Sequence, residues 1–108
     1  MGATERRRGN KAEQDVAAFL RANGWQARTS RSENGTQGGE DILWDGPASI
    51  EVKDVARLEL AAFVDQAQRQ ANGRPAVVWH KRRGKGSPGE WFVTMTGEDF
   101  VRLCERTF

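Results

Sequence analysis

The chain has 108 residues, which is enough for one domain with a modest core and too few for a separate substrate-binding domain. Its formal net charge at pH 7 is +2, and its single cysteine, Cys104, cannot form an internal disulfide. No apolar run is long enough for a signal peptide or a membrane span, so the sequence predicts a cytoplasmic protein without a membrane partner.

The basic residues are clustered, which the small net charge hides. One cluster falls in the first third of the chain and a second between Lys81 and Lys85. With an isoelectric point near 9.1, such clusters favour a polyanionic partner, although a charged run is often only a solvated surface. The residues expected to contact nucleic acid are Arg6, Arg7, Arg8, Lys11, Arg31, Lys81, Arg82, Arg83 and Lys85.

The first predicted element is a helix from Gly9 to Asn23, closed by Gly24. Glu13 lies at the margin of its apolar stripe, where it is either solvated or able to reach a neighbouring sheet. The apolar residues that recur at helical spacing are Ala12, Val16, Phe19 and Leu20.

A strand is predicted from Trp25 to Ser30, and the glycine-rich segment 31–39 then leads to Asp41. This segment is either a flexible connector or a loop whose backbone closes over a DNA strand. The sequence does not separate the two alternatives.

The central segment is predicted to be an antiparallel hairpin with a tight turn at Asp45-Gly46-Pro47. The expected cross-strand pairs are Leu43 with Ser49, Asp41 with Glu51, Ile42 with Ile50 and Trp44 with Ala48. Because strand side chains alternate, Glu51 and Lys53 then share one face with Asp41. Two carboxylates about 5 Å apart repel unless a cation lies between them, so this pattern predicts a Mg²⁺ site.

A second helix is predicted from Leu60 to Ala71, where apolar residues recur at helical spacing, and Gly73-Arg74-Pro75 ends it. Gln66 and Gln70 lie on the flank that carries Phe63. Either glutamine could reach a metal-bound water or a phosphate.

Two further strands are predicted at 76–80 and 91–95, joined by a basic, glycine-rich turn over 81–90 that is suited to phosphate contacts. Thr96 and Asp99 form a capping box that opens a last helix. The order of elements predicts an α/β domain, with a mixed central sheet flanked by helices.

Neither His80 nor Cys104 is assigned to a site. His80 has no cysteine or second histidine with which to complete a zinc set, so a structural or surface role is expected. Cys104 lies among apolar residues and is expected to act as a small buried hydrophobe.

The sequence resembles the PD-(D/E)xK nuclease superfamily, and within it most closely the archaeal-type and phage Holliday junction resolvases. The matching motifs are Gly9-Asn10-Lys11-Ala12-Glu13, Glu40-Asp41 and Ile50-Glu51-Val52-Lys53, followed by a glutamine-bearing helix. The likeness extends from about Arg6 to Phe92. It implies a restriction-endonuclease-like fold over a single domain, 1–108, with a mixed central sheet of about five strands. It also implies Mg²⁺-dependent hydrolysis of four-way or other branched DNA by a homodimer, in a bacterial or phage-infected cell.

The resemblance also implies catalytic residues by position. These are Glu13, Asp41, Glu51, Lys53, Gln66 and a serine of the preceding loop, Ser32 or Ser30. The three acids would bind or orient Mg²⁺, for which Mn²⁺ would substitute, and the lysine would assist the attacking water.

One position departs from the family, because Glu40 stands where a proline is usual. By strand alternation Glu40 should point away from Asp41, unless a bulge turns it into the site.

Two alternatives stay open for the function. One is another nuclease of the superfamily, acting on flaps, mismatches or phage DNA in general, and the other is a non-catalytic DNA-binding module.

Overall fold

The computed structural model describes residues 2–30 and 39–106, and within them the chain is a mixed α/β protein. The three helices there are α1 (Gly2–Ala22), α2 (Leu60–Gln70) and α3 (Gly97–Arg106). The five strands are β1 (Ala27–Thr29), β2 (Ile42–Trp44), β3 (Ser49–Lys53), β4 (Ala76–His80) and β5 (Phe92–Thr94). None of these helices is long and apolar enough to cross a membrane.

The strands form two sheets. β1 pairs with β2 in antiparallel fashion, and the second sheet has the order β3-β4-β5. β3 and β4 are parallel, and β4 and β5 are antiparallel. The parallel pair follows from α2, which lies between β3 and β4 in the chain and returns it to the same edge of the sheet. A mixed sheet is therefore confirmed, while a single sheet of five strands is not among the described pairings.

The predicted register of the central hairpin is wrong. β2 pairs with β1, and β3 pairs with β4, so the two halves of the expected hairpin belong to different sheets. One backbone hydrogen bond, from Asp41 N to Ile50 O at 3.0 Å, joins the two segments. The N–H of Val52 then donates to Asp41 Oδ2 at 2.8 Å. The carboxylate of Asp41 thus takes the place of a backbone acceptor opposite β3. The predicted β2–β3 ladder is not among the described strand pairings.

The turn between β2 and β3 is closed by Trp44. Its Nε1 donates to Ala48 O at 2.7 Å, so the indole folds back across the turn. A Cβ at Gly46 would lie 2.1 Å from the Trp44 ring. Only glycine therefore fits beneath this ring.

Helix α1 begins seven residues before the predicted start at Gly9. The prediction followed the apolar stripe, which begins at Ala12, whereas residues 4–8 are exposed and polar. The helix thus has two parts. Its first turns present charge to the surface, and one face of its later turns is buried in the core.

The three-stranded sheet is covered on both faces. On one face, Val16 and Leu20 of α1 belong to the same buried cluster as Ile50 and Val77. On the other face, Ala67 of α2 belongs to a second cluster. That second cluster consists of Ala67, Ala71, Ala76 and Val78, with Phe63 and Val64 packed against it. Burial on both faces explains why all five residues of β4 are buried.

Thr96 opens α3 as predicted, because its Oγ1 accepts the N–H of Asp99 at 3.1 Å. The carboxylate of Asp99 does not complete the capping box. It accepts the N–H of Ala76 at 3.1 Å and lies 2.7 Å from Arg102 Nη1. Burial opposes its charge, yet hydrogen bonds from Ala76, Gln68 and Arg102 hold the pKa of Asp99 below its ordinary value. Asp99 therefore fastens α3 to the start of β4.

His80 and Cys104 lie outside the candidate site described below. His80 is buried at the end of β4, and its Nε2 lies 2.8 Å from Thr94 Oγ1 on β5. Burial lowers the pKa of His80, which fits a neutral ring that joins two strands. Cys104 on α3 is half-buried and not fully buried as expected.

Candidate active site

The predicted acids meet in a cleft of about 410 Å³ between the start of α1 and the end of β3. Helix α1 contributes Glu5, Arg6, Gly9 and Glu13 to its walls. Asp41, Glu51, Lys53 and Asp54 complete the polar lining. The cleft, defined by these residues, brings together the four side chains on which the sequence motif depends.

Asp41 is held in place by the backbone of β3. Its own N–H donates to Ile50 O, and its Oδ2 accepts the N–H of Val52. These two hydrogen bonds fix both the backbone and the carboxylate of Asp41 against the strand that carries Glu51. The two acids are therefore neighbours, as predicted, although the predicted hairpin ladder does not bring them together.

Glu51 and Lys53 point to the same side of β3, as strand alternation requires. Lys53 Nζ lies 3.4 Å from Glu51 Oε2 and 4.7 Å from the centre of the Phe63 ring. Glu51 is only 5% exposed, so this ion pair is largely removed from water. The ammonium is thereby positioned between a carboxylate and the face of an aromatic ring.

Gln70, at the end of α2, is the glutamine that reaches the acids. Its amide nitrogen, oriented toward acceptors, lies 2.6 Å from Glu51 Oε1 and 3.2 Å from Gly39 O. The choice of Gln66, which lies one helical turn earlier, stays a prediction. Both glutamines follow Phe63 at helical spacing, and the packing of α2 against the sheet decides which one lies beside Glu51.

Burial and mutual repulsion perturb the acids of the cleft. Burial first, and then the charges of Glu51 and Glu13, raise the pKa of Asp41 to about 7. Burial also raises the pKa of Glu51, partly offset by Lys53 and increased further by Glu13. The cleft thus holds more negative charge than its single lysine balances, which is an environment that favours a cation.

The donor set fits a divalent cation in its chemistry, since carboxylate oxygens are the ligands that Mg²⁺ prefers. In the part of the chain that the structure describes, however, no group of three or more His, Cys, Asp or Glu side chains is arranged to hold a metal ion. The three-acid ligand set therefore stays a prediction. The oxygens of Asp41 and Glu51 are engaged by Val52, Lys53 and Gln70. Asp41 and Glu51 are the pair that would hold an ion, with Glu13 acting through its charge.

Glu40 points away from the cleft, as strand alternation predicted. Its carboxylate pairs with Arg74 and lies 3.4 Å from Ser49 Oγ. It lines a different cavity of about 250 Å³, together with Arg28 and Trp44. No bulge brings a further acid from this position to Asp41.

The serine and arginine expected in the preceding loop, Ser32 and Arg31, lie outside the described residues. The other candidate serine, Ser30, donates its backbone N–H to Asp41 O at 2.9 Å. Its described hydrogen bond is thus to the backbone of the site and not to a carboxylate.

The predicted nucleic-acid contacts lie in different places. Arg6 lines the cleft, and Arg8, Lys81, Arg82 and Arg83 line an adjoining pocket. Elsewhere, Lys11 pairs with Asp15 at 3.0 Å and Lys85 with Glu90 at 3.7 Å. Arg7 is exposed on α1.

Three residues of the site were missed by the sequence reasoning. Glu5 lines the cleft because α1 extends further toward the N-terminus than its apolar stripe indicates. The helix-forming character of residues 3–8 is the available signal for it. Gly9 belongs to the predicted motif without a site role, and it also lines the cleft. Asp54 follows Lys53 directly and lines both the cleft and the adjoining pocket.

Comparisons with other proteins do not identify the chain. No protein-family model, no curated protein and no solved structure matches it.

Proposed function

We propose that the chain is a metal-dependent, structure-selective DNA endonuclease that hydrolyses phosphodiesters in branched DNA, with four-way junctions as its substrate. The observation that carries the proposal is the cleft in which Asp41, Glu51 and Lys53 meet beside a basic pocket. A buried glutamate and a half-buried aspartate beside a lysine suit hydrolysis of a phosphodiester, whereas a surface that only binds DNA has no need of them.

In this proposal Asp41 and Glu51 hold Mg²⁺, or Mn²⁺ in its place, and Glu13 adds negative charge. The bound ion supplies Lewis-acid activation of water and neutralises charge on the phosphate. The ammonium of Lys53 lies 3.4 Å from Glu51 Oε2. From this position beside the carboxylate that holds the metal, it stabilises the negative charge that develops on the scissile phosphate. Gln70 orients Glu51 through its amide. The expected products are 5′-phosphate and 3′-hydroxyl ends.

The fold assignment forms part of the same proposal. We infer that the two sheets act as one restriction-endonuclease-like sheet, joined through the Asp41–Ile50 hydrogen bond. A domain of 108 residues has little surface with which to grip two DNA strands. A homodimer that presents two clefts is therefore proposed as the active form.

A cleavage assay on a synthetic four-way junction tests the proposal. Wild-type protein with Mg²⁺ should nick the junction in opposed strands and leave a linear duplex intact. Glu51→Gln and Lys53→Ala should abolish cutting while junction binding persists. Glu40→Gln is the matched control, because it makes the same change on an acid that pairs with Arg74 outside the cleft. Normal cutting by Glu51→Gln would show that the site is wrongly assigned.

A nuclease with a different substrate is the nearest alternative. The cleft offers groups that act on a phosphodiester, and these groups do not depend on the shape of the surrounding DNA. Branched, flapped, mismatched and linear substrates should therefore be compared side by side. Equal rates on all four would remove the structure selectivity and keep the nuclease.

A non-catalytic DNA-binding module is favoured by one observation, namely that protein donors already engage Asp41 and Glu51. Calorimetric titration with Mg²⁺ and Mn²⁺ decides between the two functions. The nuclease should bind metal in a way that Asp41→Ala removes. The module should show no such binding.

A further inference from the structure

A basic pocket adjoins the cleft and shares two lining residues with it. The pocket has a volume of about 200 Å³ and is formed by Arg8 on α1 and by residues 81–84, which follow β4. Asp54 and Val55 line both the pocket and the cleft. A ligand that extends out of the cleft past Asp54 therefore enters this pocket next.

The pocket is joined to the catalytic strand by a backbone hydrogen bond. The N–H of Lys81 donates to Lys53 O at 2.9 Å, so the start of the basic segment is fixed relative to the catalytic lysine. Movement of one segment would break this bond or carry the other along. The sheet thus positions the start of the basic segment relative to the cleft.

Two of the cations are pre-positioned by aromatic rings. The guanidinium of Arg82 lies 4.4 Å from the centre of the Phe92 ring, and its Nη1 donates to Glu90 O at 2.8 Å. The ammonium of Lys81 lies 5.7 Å from the centre of the Trp91 ring. Side chains held in this way lose less conformational entropy when they bind a ligand.

The charge of the pocket selects an anion. Arg8, Lys81, Arg82 and Arg83 face a single acid, Asp54. Gly84 has a φ of 79° and no atom within 4 Å of the place where a Cβ would lie, so the backbone there is open to close approach. Several cations around an accessible backbone match a phosphate group better than an isolated carboxylate.

We propose that this pocket is a second phosphate subsite, which holds a backbone phosphate of the same DNA strand that lies in the cleft. The inference rests on the proposed function for the identity of its ligand. It adds that the strand runs from the acids past Asp54 to Arg8 and Arg83. One particular phosphate near the cut, and not the DNA charge as a whole, then contributes most to binding.

Methylphosphonate scanning tests the subsite. A four-way junction and its linear arm duplex are prepared with one neutral methylphosphonate linkage at each position in turn. Binding to the protein is measured by fluorescence anisotropy without added divalent metal, so that cleavage does not interfere. Wild-type protein should lose about tenfold in affinity at one position, the effect expected for one lost charge-assisted contact.

The variants Arg8→Ala and Arg83→Ala identify the pocket as the cause. Each should bind the unmodified DNA about tenfold more weakly and should lose no further affinity at the sensitive position. Lys85→Ala is the matched control. It removes the same charge from the same segment, but Lys85 pairs with Glu90 and does not line the pocket. It should retain the position-specific loss.

The outcomes separate the subsite from the proposed function. Position-specific coupling in a protein that cuts nothing would support the subsite and refute the nuclease. Cleavage without coupling would refute the subsite and leave the nuclease intact. The subsite is equally refuted by identical behaviour of Arg83→Ala and Lys85→Ala, or by absence of DNA binding.

Discussion

Replacing Asp41 by asparagine should stabilise the protein at alkaline pH. Burial and the charges of Glu51 and Glu13 raise the pKa of Asp41 from 3.8 to about 7. A carboxyl group whose pKa is raised in the folded state destabilises the fold when it is ionised, and this cost disappears when it is protonated. The wild type should therefore lose stability as the pH rises from about 4 through 7, and the asparagine variant should lose less, because only Glu51 keeps a raised pKa there. Its amide oxygen can still accept the N–H of Val52.

The size of the effect follows from the two pKa values. Because one pH unit corresponds to about 1.4 kcal/mol, the rise from 3.8 to about 7 sets an upper limit of about 4 kcal/mol. The acids titrate together, so part of the repulsion is relieved when a neighbour takes up the proton. An increase of about 2 kcal/mol at pH 8 would raise the Tm by roughly 8 °C in a domain of this size.

Thermal unfolding followed by circular dichroism between pH 4 and pH 9 is the assay. Asp41→Asn and wild type should have similar Tm values near pH 4 and diverge above it. Asp99→Asn is the control of opposite sign, because the pKa of Asp99 is lowered. It should destabilise the protein above about pH 4, and its effect should fade as the pH falls further. A Tm of Asp41→Asn at pH 8 equal to or below that of the wild type would refute the repulsion argument.

Magnesium gives the same experiment a second reading. An ion held by Asp41 and Glu51 at one hundred times its Kd would stabilise the wild type by about 2.7 kcal/mol at pH 8. Asp41→Asn should gain much less. An equal response of both proteins to Mg²⁺ would remove the metal from the proposal and leave the repulsion argument intact.

Three further predictions concern the cleft and its turn. Gly9→Ala should stabilise the protein by about 0.5–1 kcal/mol in chemical denaturation, because no atom lies within 4 Å of the added Cβ. The larger side chain of Gly9→Leu should slow DNA cleavage by narrowing the cleft. Gly46→Ala should have the opposite effect on stability, with a loss of about 1–3 kcal/mol, since its Cβ would displace the Trp44 ring; a loss no larger than that of a typical surface change would contradict this. Gln70→Ala should lower kcat for junction cleavage about tenfold by removing the hydrogen bond to the buried carboxylate of Glu51. Gln66→Ala should have a smaller effect, and the reverse order would favour Gln66 as the glutamine of the site.

Local periodicity predicted the parts of the site that depend on one strand. Glu51 and Lys53 share a face because side chains alternate along β3, and this holds whatever strand lies next to it. The position of Asp41 depends on a tertiary choice. Its carboxylate binds Val52 N–H in place of a ladder partner, and no pattern in the sequence distinguishes a carboxylate from a backbone acceptor.

The remaining differences also have physical causes. The start of α1 was placed too late because apolar spacing marks only the buried part of a helix, and residues 4–8 are exposed. The sequence does not separate Gln66 from Gln70 because one helical flank carries both. Their distances to Glu51 depend on how α2 packs against the sheet. Sequence patterns thus indicate which residues share a face, and packing decides which of them touch.

Helix α1 has an exposed first part and a later part with one buried face. Substitution is limited by the lining of the cleft in the first part and by packing in the core in the second. Residues 4–8 are exposed, while Val16 and Leu20 further along are buried. Substitutions in the first turns alter the wall of the cleft and leave the interior intact. A single continuous helix therefore allows ligand preference to diverge with little loss of thermal tolerance, and it offers protein engineers a surface that can be randomised.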